Sequence, residues 1–423
     1  MRSKPTGTSR QKGKRPRSTN PTTRKPTARE TRVQTSGSRS TSELSAHDLL
    51  ATYRPDLSQI LVELEAPAYR YDQVCEHLFK RPALPISRST VLPAATRDAL
   101  EERGASCLTV SASRTAKDRT TKLLLTAADG ASFEMVIMRY RQRNTACISS
   151  QVGCPVGCAF CATGRSGFER NLSTAEIVDQ ARIACAVLGE EGARLSNIVY
   201  MGMGEPLLNM QAVLNSIAII TSPRGLRIGH RSISVSTVGI PAGIRRLARA
   251  EPQVNLALSL HASDERTRAS LIPDTHRHPL SKILEAAWDH FDTAHRKILV
   301  EYVLLDRIND STTDARRLAA LLRGHVVTVN LLTWNPVSSS GEISDTRGRG
   351  PSPPSSRLTT FRPSNAAAVA AFRNSLVAAG VEAVVRQSRG DSIDAACGQL
   401  AGQSRHGSSS GPSPSPSSQP KRT

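Results

Sequence analysis

The chain has 423 residues, 38% of them hydrophobic and only 4% aromatic, and carries a formal net charge of +20. No run of about 18 apolar residues occurs, which excludes a membrane-spanning helix, and no charged-then-apolar start favours export by a signal peptide. Eight cysteines without an export signal predict reduced thiols in a cytoplasmic protein, where such groups serve metals or catalysis.

Residues 1–42 hold most of the basic excess, with twelve Lys or Arg before residue 41 against one acid, Glu30. This arm has too little apolar surface to offset ordering entropy and is expected to be disordered, like the tail from 403 to 423. A basic arm on a basic body predicts a polyanionic partner, most simply nucleic acid. From 43 to 105 the apolar spacing is helical, as in Leu57-Ser58-Gln59-Ile60-Leu61 and Tyr71 to Phe79. From 106 to 145 it becomes strand-like, with a hairpin turn at Asp129-Gly130.

From 146 to 402, six strand-like segments alternate with helices: 146–150, 197–201, 232–236, 254–260, 297–304 and 326–332. Ser173 and Glu176 have the spacing of a capping box, and Gly380 stands where a left-handed cap would close the last helix. The segment 338–363, rich in Ser, Gly, Pro and Arg, reads as an insertion. Six strand–helix units predict an α/β domain with a parallel sheet, a partial (βα)6 barrel whose chemistry gathers at the strand C-terminal ends.

Cys154, Cys158 and Cys161 form a CxxxCxxC loop directly after the first of these strands. Structural zinc wants four protein ligands, and the loop offers three. A [4Fe-4S] cluster held by three thiols keeps one iron open for an exogenous chelate. A zinc knuckle completed by a distant residue is the competing reading, which would make the chain a non-catalytic RNA-binding protein. Gly202-Met203-Gly204-Glu205 after the second strand could let a ligand approach the backbone while the carboxylate accepts an ammonium; alone, it could equally be a simple turn.

The cysteine loop on a partial (βα)6 barrel resembles the radical S-adenosylmethionine (SAM) superfamily. The strings from Cys147 to Cys154, Arg170 to Ser173, Met201 to Leu207 and Arg389 to Leu400 narrow the likeness. They resemble the bacterial 23S ribosomal RNA adenine-C2 methyltransferases, which often also act on transfer RNA. The resemblance runs from about 55 to 402, outside the insertion, and makes the 43–105 segment an accessory RNA-binding domain. It implies one cluster on Cys154, Cys158 and Cys161, with SAM held by Gly204, Glu205, Ser236, Ser259, Leu260, His261 and Asn335.

The same resemblance makes Cys397 the methyl-carrying thiol and Cys147 the resolving thiol that forms a transient disulfide with it. Glu134 becomes the proton acceptor, a role that suits a carboxylate sheltered among apolar strand residues. Implied partners are 23S rRNA and tRNA, an electron donor such as flavodoxin or ferredoxin, and a disulfide reductant, around a monomer. Arg70, Lys80, Arg81, Arg114, Lys117, Arg119 and Lys122 are candidate phosphate contacts. The related adenine-C8 methyltransferases that confer antibiotic resistance share the cysteines; Pro206 and Arg389-Gly390-Asp391 resemble the C2 group more closely. Cys75, Cys107 and Cys185 read as buried filler.

Overall fold

Helix signals open the ordered chain. The computed structural model describes residues 44–104, 106–273, 278–336 and 361–400. The arm at 1–42, the tail at 403–423 and nearly all of the 338–363 insertion lie outside the described residues. Four helices, α1 (Ala46–Tyr53), α2 (Pro55–Glu63), α3 (Tyr69–Lys80) and α4 (Ala94–Arg103), follow from the helical spacing of Leu49, Leu57, Leu61, Val74 and Leu78, all of them buried. Ser45 caps α1 by accepting from the Asp48 N–H.

Strands β1 (Leu108–Thr115), β2 (Thr121–Ala127) and β3 (Ser132–Arg139) form an antiparallel meander, with Gly130 in the left-handed region at the β2–β3 turn. β3 pairs antiparallel with β4 (Asn144–Cys147), placing Val136 opposite Cys147. From β4 the sheet becomes parallel. It continues through β7 (Asn197–Tyr200), β8 (Ile233–Thr237), β9 (Asn255–Ser259), β10 (Ile298–Leu304), β11 (Val327–Thr333) and β12 (Glu382–Arg386). β10 is a nearly continuous apolar run, and β11 is buried along most of its length, as strands covered on both faces require.

The first six parallel strands are those expected from the sequence. β12 is a seventh, edge strand; it is short and mostly exposed, so its sequence carries little apolar patterning. The first strand ends at Cys147, three residues earlier than its apolar run suggests, because the chain turns to enter a small hairpin. That hairpin pairs β5 (Gln151–Gly153) with β6 (Phe168–Asn171) and closes the base of the cysteine loop. Gly153 has φ +74°, and a Cβ there would come within 2.0 Å of the Gly167 carbonyl oxygen, so only glycine fits.

Helix α6 (Thr174–Glu190) opens with the predicted capping box: Ser173 accepts from the Glu176 N–H and Glu176 accepts from the Ser173 N–H. Gly380, at φ +80°, follows α12 (Ala366–Ala378) as the sequence indicates. The N-terminal helices are joined to α6 by a buried polar knot. Arg182 donates to Asp179 at 2.6 Å, to the Tyr53 hydroxyl at 2.7 Å and to the Leu78 carbonyl at 2.8 Å. Asp179 also accepts from Tyr53, Ser106 and both the backbone and thiol of Cys107. Cys107 is therefore a member of this network rather than apolar filler.

Removing one partner of a buried ion pair leaves the other charge uncompensated, at a cost of about 3–5 kcal/mol. Asp179→Ala is expected to destabilise the chain by that amount, read as a shift of the urea midpoint. Exposed Asp289→Ala, on the Arg245 pair, should leave the urea midpoint almost unmoved.

Candidate active site

The cysteine loop lies at the strand C-terminal ends and is held on three sides. Cys154 N–H donates to Gly167 O at 2.8 Å, Ala159 N–H to Leu271 O at 2.9 Å, and Trp334 Nε1 to Phe160 O at 2.9 Å. Gly164 is required by packing, because a Cβ there would meet the Cys158 backbone nitrogen at 2.7 Å. The loop packs with Val156, Leu271, Ile272, Val303 and Leu305 in a small apolar cluster of its own. Burial pushes the Cys154 thiol up to about 12 and that of Cys158 well above its usual range; the neighbouring thiols and Glu205 add to the effect at both. Soft donors kept protonated by burial suit a cationic group that exchanges those protons for metal. Among the described residues no three Cys, His, Asp or Glu side chains stand close enough together to hold a single metal ion.

Glu205 sits beside that loop, fully enclosed. Its Oε1 accepts from Leu207 N–H at 3.0 Å and its Oε2 from Val238 N–H at 2.8 Å. Among the described residues it makes no ion pair, and burial raises its carboxyl to about 7. Such a group favours a cationic ligand. The glycines before it have a different reason from the one read in the sequence. A Cβ on Gly202 would strike Ser149 Oγ at 2.7 Å, and one on Gly204 the Gln151 side chain at 2.6 Å. They let this turn pack on the 148–151 segment of its own chain.

Ser236 and Ser259 share a hydroxyl hydrogen bond of 3.0 Å at adjacent strand ends. Leu260 is buried and donates its N–H to Glu301 O at 3.0 Å. His261 is also buried, in a left-handed conformation at φ +58°, with Phe160 edge-on to its ring at 4.9 Å. Its Nδ1 accepts from Val303 N–H at 3.1 Å and burial lowers it to about 3, so the ring is neutral with its proton on Nε2.

A cavity of about 480 Å³ runs along the inside of the barrel. Cys147, Cys161, Asn335 and Cys397 all line it, although Cys147 and Cys397 are far apart in sequence. Cys397 is exposed to this cavity, yet the walls surround it, and desolvation pushes its thiol up to about 11. Burial, then the neighbouring Cys397, raises Cys147 as well. Glu205, Ser236, Ser259 and His261 lie outside the cavity lining. Among the further polar residues that line it are Glu301, Asn330 and Arg386. Asn330 Nδ2 donates to Glu301 Oε1 at 2.7 Å. The visible signal was a lone carboxylate within the apolar run Ile298–Leu304.

Glu134 is buried on β3 and its Oε1 lies 3.0 Å from Lys122 Nζ. It is half of a buried ion pair rather than the isolated carboxylate its apolar neighbours suggest. Lys122 also donates to Asp394 O at 3.1 Å, which removes it from the candidate phosphate contacts.

Residues 148–323 match the model of the Radical SAM superfamily. The chain is 42% identical over 365 residues to a protein of Moorella thermoacetica described as a probable dual-specificity RNA methyltransferase RlmN, covering 85% of this chain and 98% of that one. A protein of Thermus thermophilus with the same description is 40% identical over 349 residues, covering 82% and 93%. The chain belongs to the RlmN family of radical SAM methyltransferases. A crystal structure of a radical SAM methyltransferase from Sphaerobacter thermophilus is similar throughout, with a TM-score of 0.74 and 38% identity over 84% of this chain and 97% of that one. RlmN membership makes the chain a SAM-dependent enzyme and implies a [4Fe-4S] cluster. Among the described residues no helix is long and apolar enough to cross a membrane.

A carboxyl group raised by burial stabilises the fold below its ordinary range, and that contribution is lost as pH rises through the folded value. The metal-free chain should therefore lose stability between about pH 4.5 and 7 on account of Glu205. Glu205→Gln is expected to raise the thermal midpoint at about pH 8 and leave it unchanged near pH 4.

Proposed function

We propose that the chain methylates C2 of an adenine in 23S rRNA, in the peptidyl transferase region, and of an adenine in tRNA anticodon loops, using two SAM molecules per turnover. The observation that carries this reading is the meeting of Cys147 and Cys397 on one cavity with Cys161 at its edge. Adenine C2 lies between two ring nitrogens and is electron-poor, so direct polar transfer from an electrophilic sulfonium methyl is mismatched. A carbon radical can add there. Family membership supports the cofactors; the ligand set is our assignment. Cys154, Cys158 and Cys161 would hold the cluster, one per chain, and leave one iron for SAM. Glu205 would take the SAM ammonium, with Gly204, Ser236, Ser259, Leu260, His261 and Asn335 completing the site. Cluster and SAM together supply the radical that removes a hydrogen atom from a methyl group.

The protein's own groups do the rest. Cys397, as thiolate, takes the methyl of a first SAM and releases S-adenosylhomocysteine. Once a hydrogen atom has been removed from it, the sulfur-bound methylene would add to C2, linking protein and RNA covalently, with the adduct's odd electron passing to an acceptor of the iron–sulfur class. Glu134, paired with Lys122 on the face of β3 that continues into the cavity, accepts the C2 proton. Cys147 attacks the Cys397 sulfur to form the disulfide, the carbon–sulfur bond breaks with its electron pair on the RNA-bound methylene, a proton completes the methyl group, and a dithiol reductant restores both thiols. The setting is the cytoplasm, and a low-potential carrier such as flavodoxin or ferredoxin provides the electron.

Nucleoside mass spectrometry of rRNA and tRNA after anaerobic incubation tests the product. We expect 2-methyladenosine; 8-methyladenosine in its place would assign the chain to C8 chemistry. Cys397→Ala should reduce methylation at least about a thousandfold with iron content unchanged. Cys147→Ala should accumulate a covalent protein–RNA adduct resolvable on a denaturing gel, and its absence during turnover would remove the resolving role.

A further inference from the structure

At the end of the cavity remote from the cysteine loop, the side chain of Tyr140 lies between two cations. The guanidinium carbon of Arg389 stands 4.4 Å from the ring centroid and that of Arg143 4.7 Å from it. All three residues line the cavity that holds Cys147 and Cys397. Two guanidiniums held close together repel each other; a shared aromatic ring offsets that repulsion at each contact. Arg389 is further pinned by donating to Arg139 O at 3.0 Å. Arg143 is exposed and, among the described residues, makes no ion pair. Arg389 has Asp118 at 3.9 Å, so the charge left without a carboxylate partner is that of exposed Arg143, and it points to an anion from outside the chain.

Spacing identifies which anion. Arg143, Thr145 and Cys147 alternate along one wall, so Arg143 stands four residues, about 13 Å, from the thiol. On the neighbouring strand Tyr140, Met138 and Val136 alternate likewise. The wall thus carries cations at one end and the reactive thiols at the other, a span of the order of one nucleotide from phosphate to base edge.

We propose that Arg143 and Arg389 grip the phosphodiester beside the target nucleotide, at the mouth of the cavity, while its base reaches Cys147 and Cys397. This rests on the RNA methyltransferase reading above. The Tyr140 ring is already engaged by two guanidinium groups. It is a positioning residue for the two arginines. The grip is indifferent to sequence, as phosphate contacts are, and would serve a ribosomal and a transfer RNA loop alike.

The test uses the reconstituted full chain and a stem-loop RNA with an unpaired adenine. Arg143→Glu should raise the KM for RNA about tenfold or more with kcat within about twofold. The slope of log binding constant against log salt should shrink by about 0.7, the loss of one single-strand phosphate. Tyr140→Phe keeps the ring and should behave as the native chain; Tyr140→Leu should raise KM as Arg143→Glu does. A merely structural role for Tyr140 would lower the melting temperature without moving the salt slope. Native KM and salt slope in folded Arg143→Glu would overturn the proposal. Because binding is read by fluorescence anisotropy without turnover, the two readings fail separately. A native chain that binds RNA through Arg143 and yields no methyladenosine overturns the reaction and leaves the grip standing.

Discussion

Everything at this site depends on where the C-terminal segment is tied down. Cys397 sits on an irregular stretch after β12, with little regular structure of its own to hold it. What fixes it is a set of hydrogen bonds to distant elements. Gly398 O accepts from Ala162 N–H at 2.7 Å, and Leu400 O accepts from the Thr163 hydroxyl. Gln399 Nε2 donates to Pro336 O at 2.9 Å and its Oε1 accepts from Ala396 N–H at 3.0 Å. At the other end Asp394 O takes Lys122 Nζ, and Gly390 packs so closely on Thr120 that a Cβ would meet its methyl at 2.9 Å. The segment bearing one thiol is thus tied to the cysteine loop and to the antiparallel meander, and β4 of the same sheet carries the other thiol. A displacement of either support moves Cys397 relative to Cys147.

The polar groups inside the barrel follow one economy. Glu205 and His261 are both buried and both held by backbone N–H donors. Glu205 accepts two backbone N–H groups yet has no cation beside it among the described residues. His261 is held neutral by burial and a backbone donor. A neutral ring next to the cysteine loop costs a cationic cluster site nothing in repulsion, whereas a protonated one would oppose it. A buried cation does stand close by: Arg268 acts on His261 and on the Cys158 thiol, and donates to the Val238 carbonyl.

Much of the fold was legible because burial on both faces writes long apolar runs into parallel strands, and capping residues mark helix starts. The six barrel strands, the Ser173 capping box and the Gly380 stop all followed from local chemistry. β12, the β5–β6 hairpin and the short helix at Glu265–Leu271 did not, since each is too brief or too exposed to show a period. The site was legible unevenly. The three loop cysteines stand together in sequence, but the meeting of Cys147 with Cys397 is made only by the closing of the sheet, and the resemblance to known methyltransferases was needed to expect it. Gly202 and Gly204 show the limit of motif reasoning. The requirement for glycine was correct, and its cause is self-packing against Ser149 and Gln151.

The raised thiols give the site a form of restraint. Desolvation raises the Cys397 thiol to about 11, which favours its protonated form near neutral pH although it faces an open cavity. Methyl transfer from a sulfonium brings a positive charge to the thiol it alkylates, which favours the thiolate at the moment it is needed. Cys147 is buried and raised further. On the roles proposed for them, an exposed but desolvated carrier thiol beside a buried resolving thiol separates the two sulfur reactions. The first waits for a cationic methyl donor, and the second waits for a sulfur that already bears a leaving group.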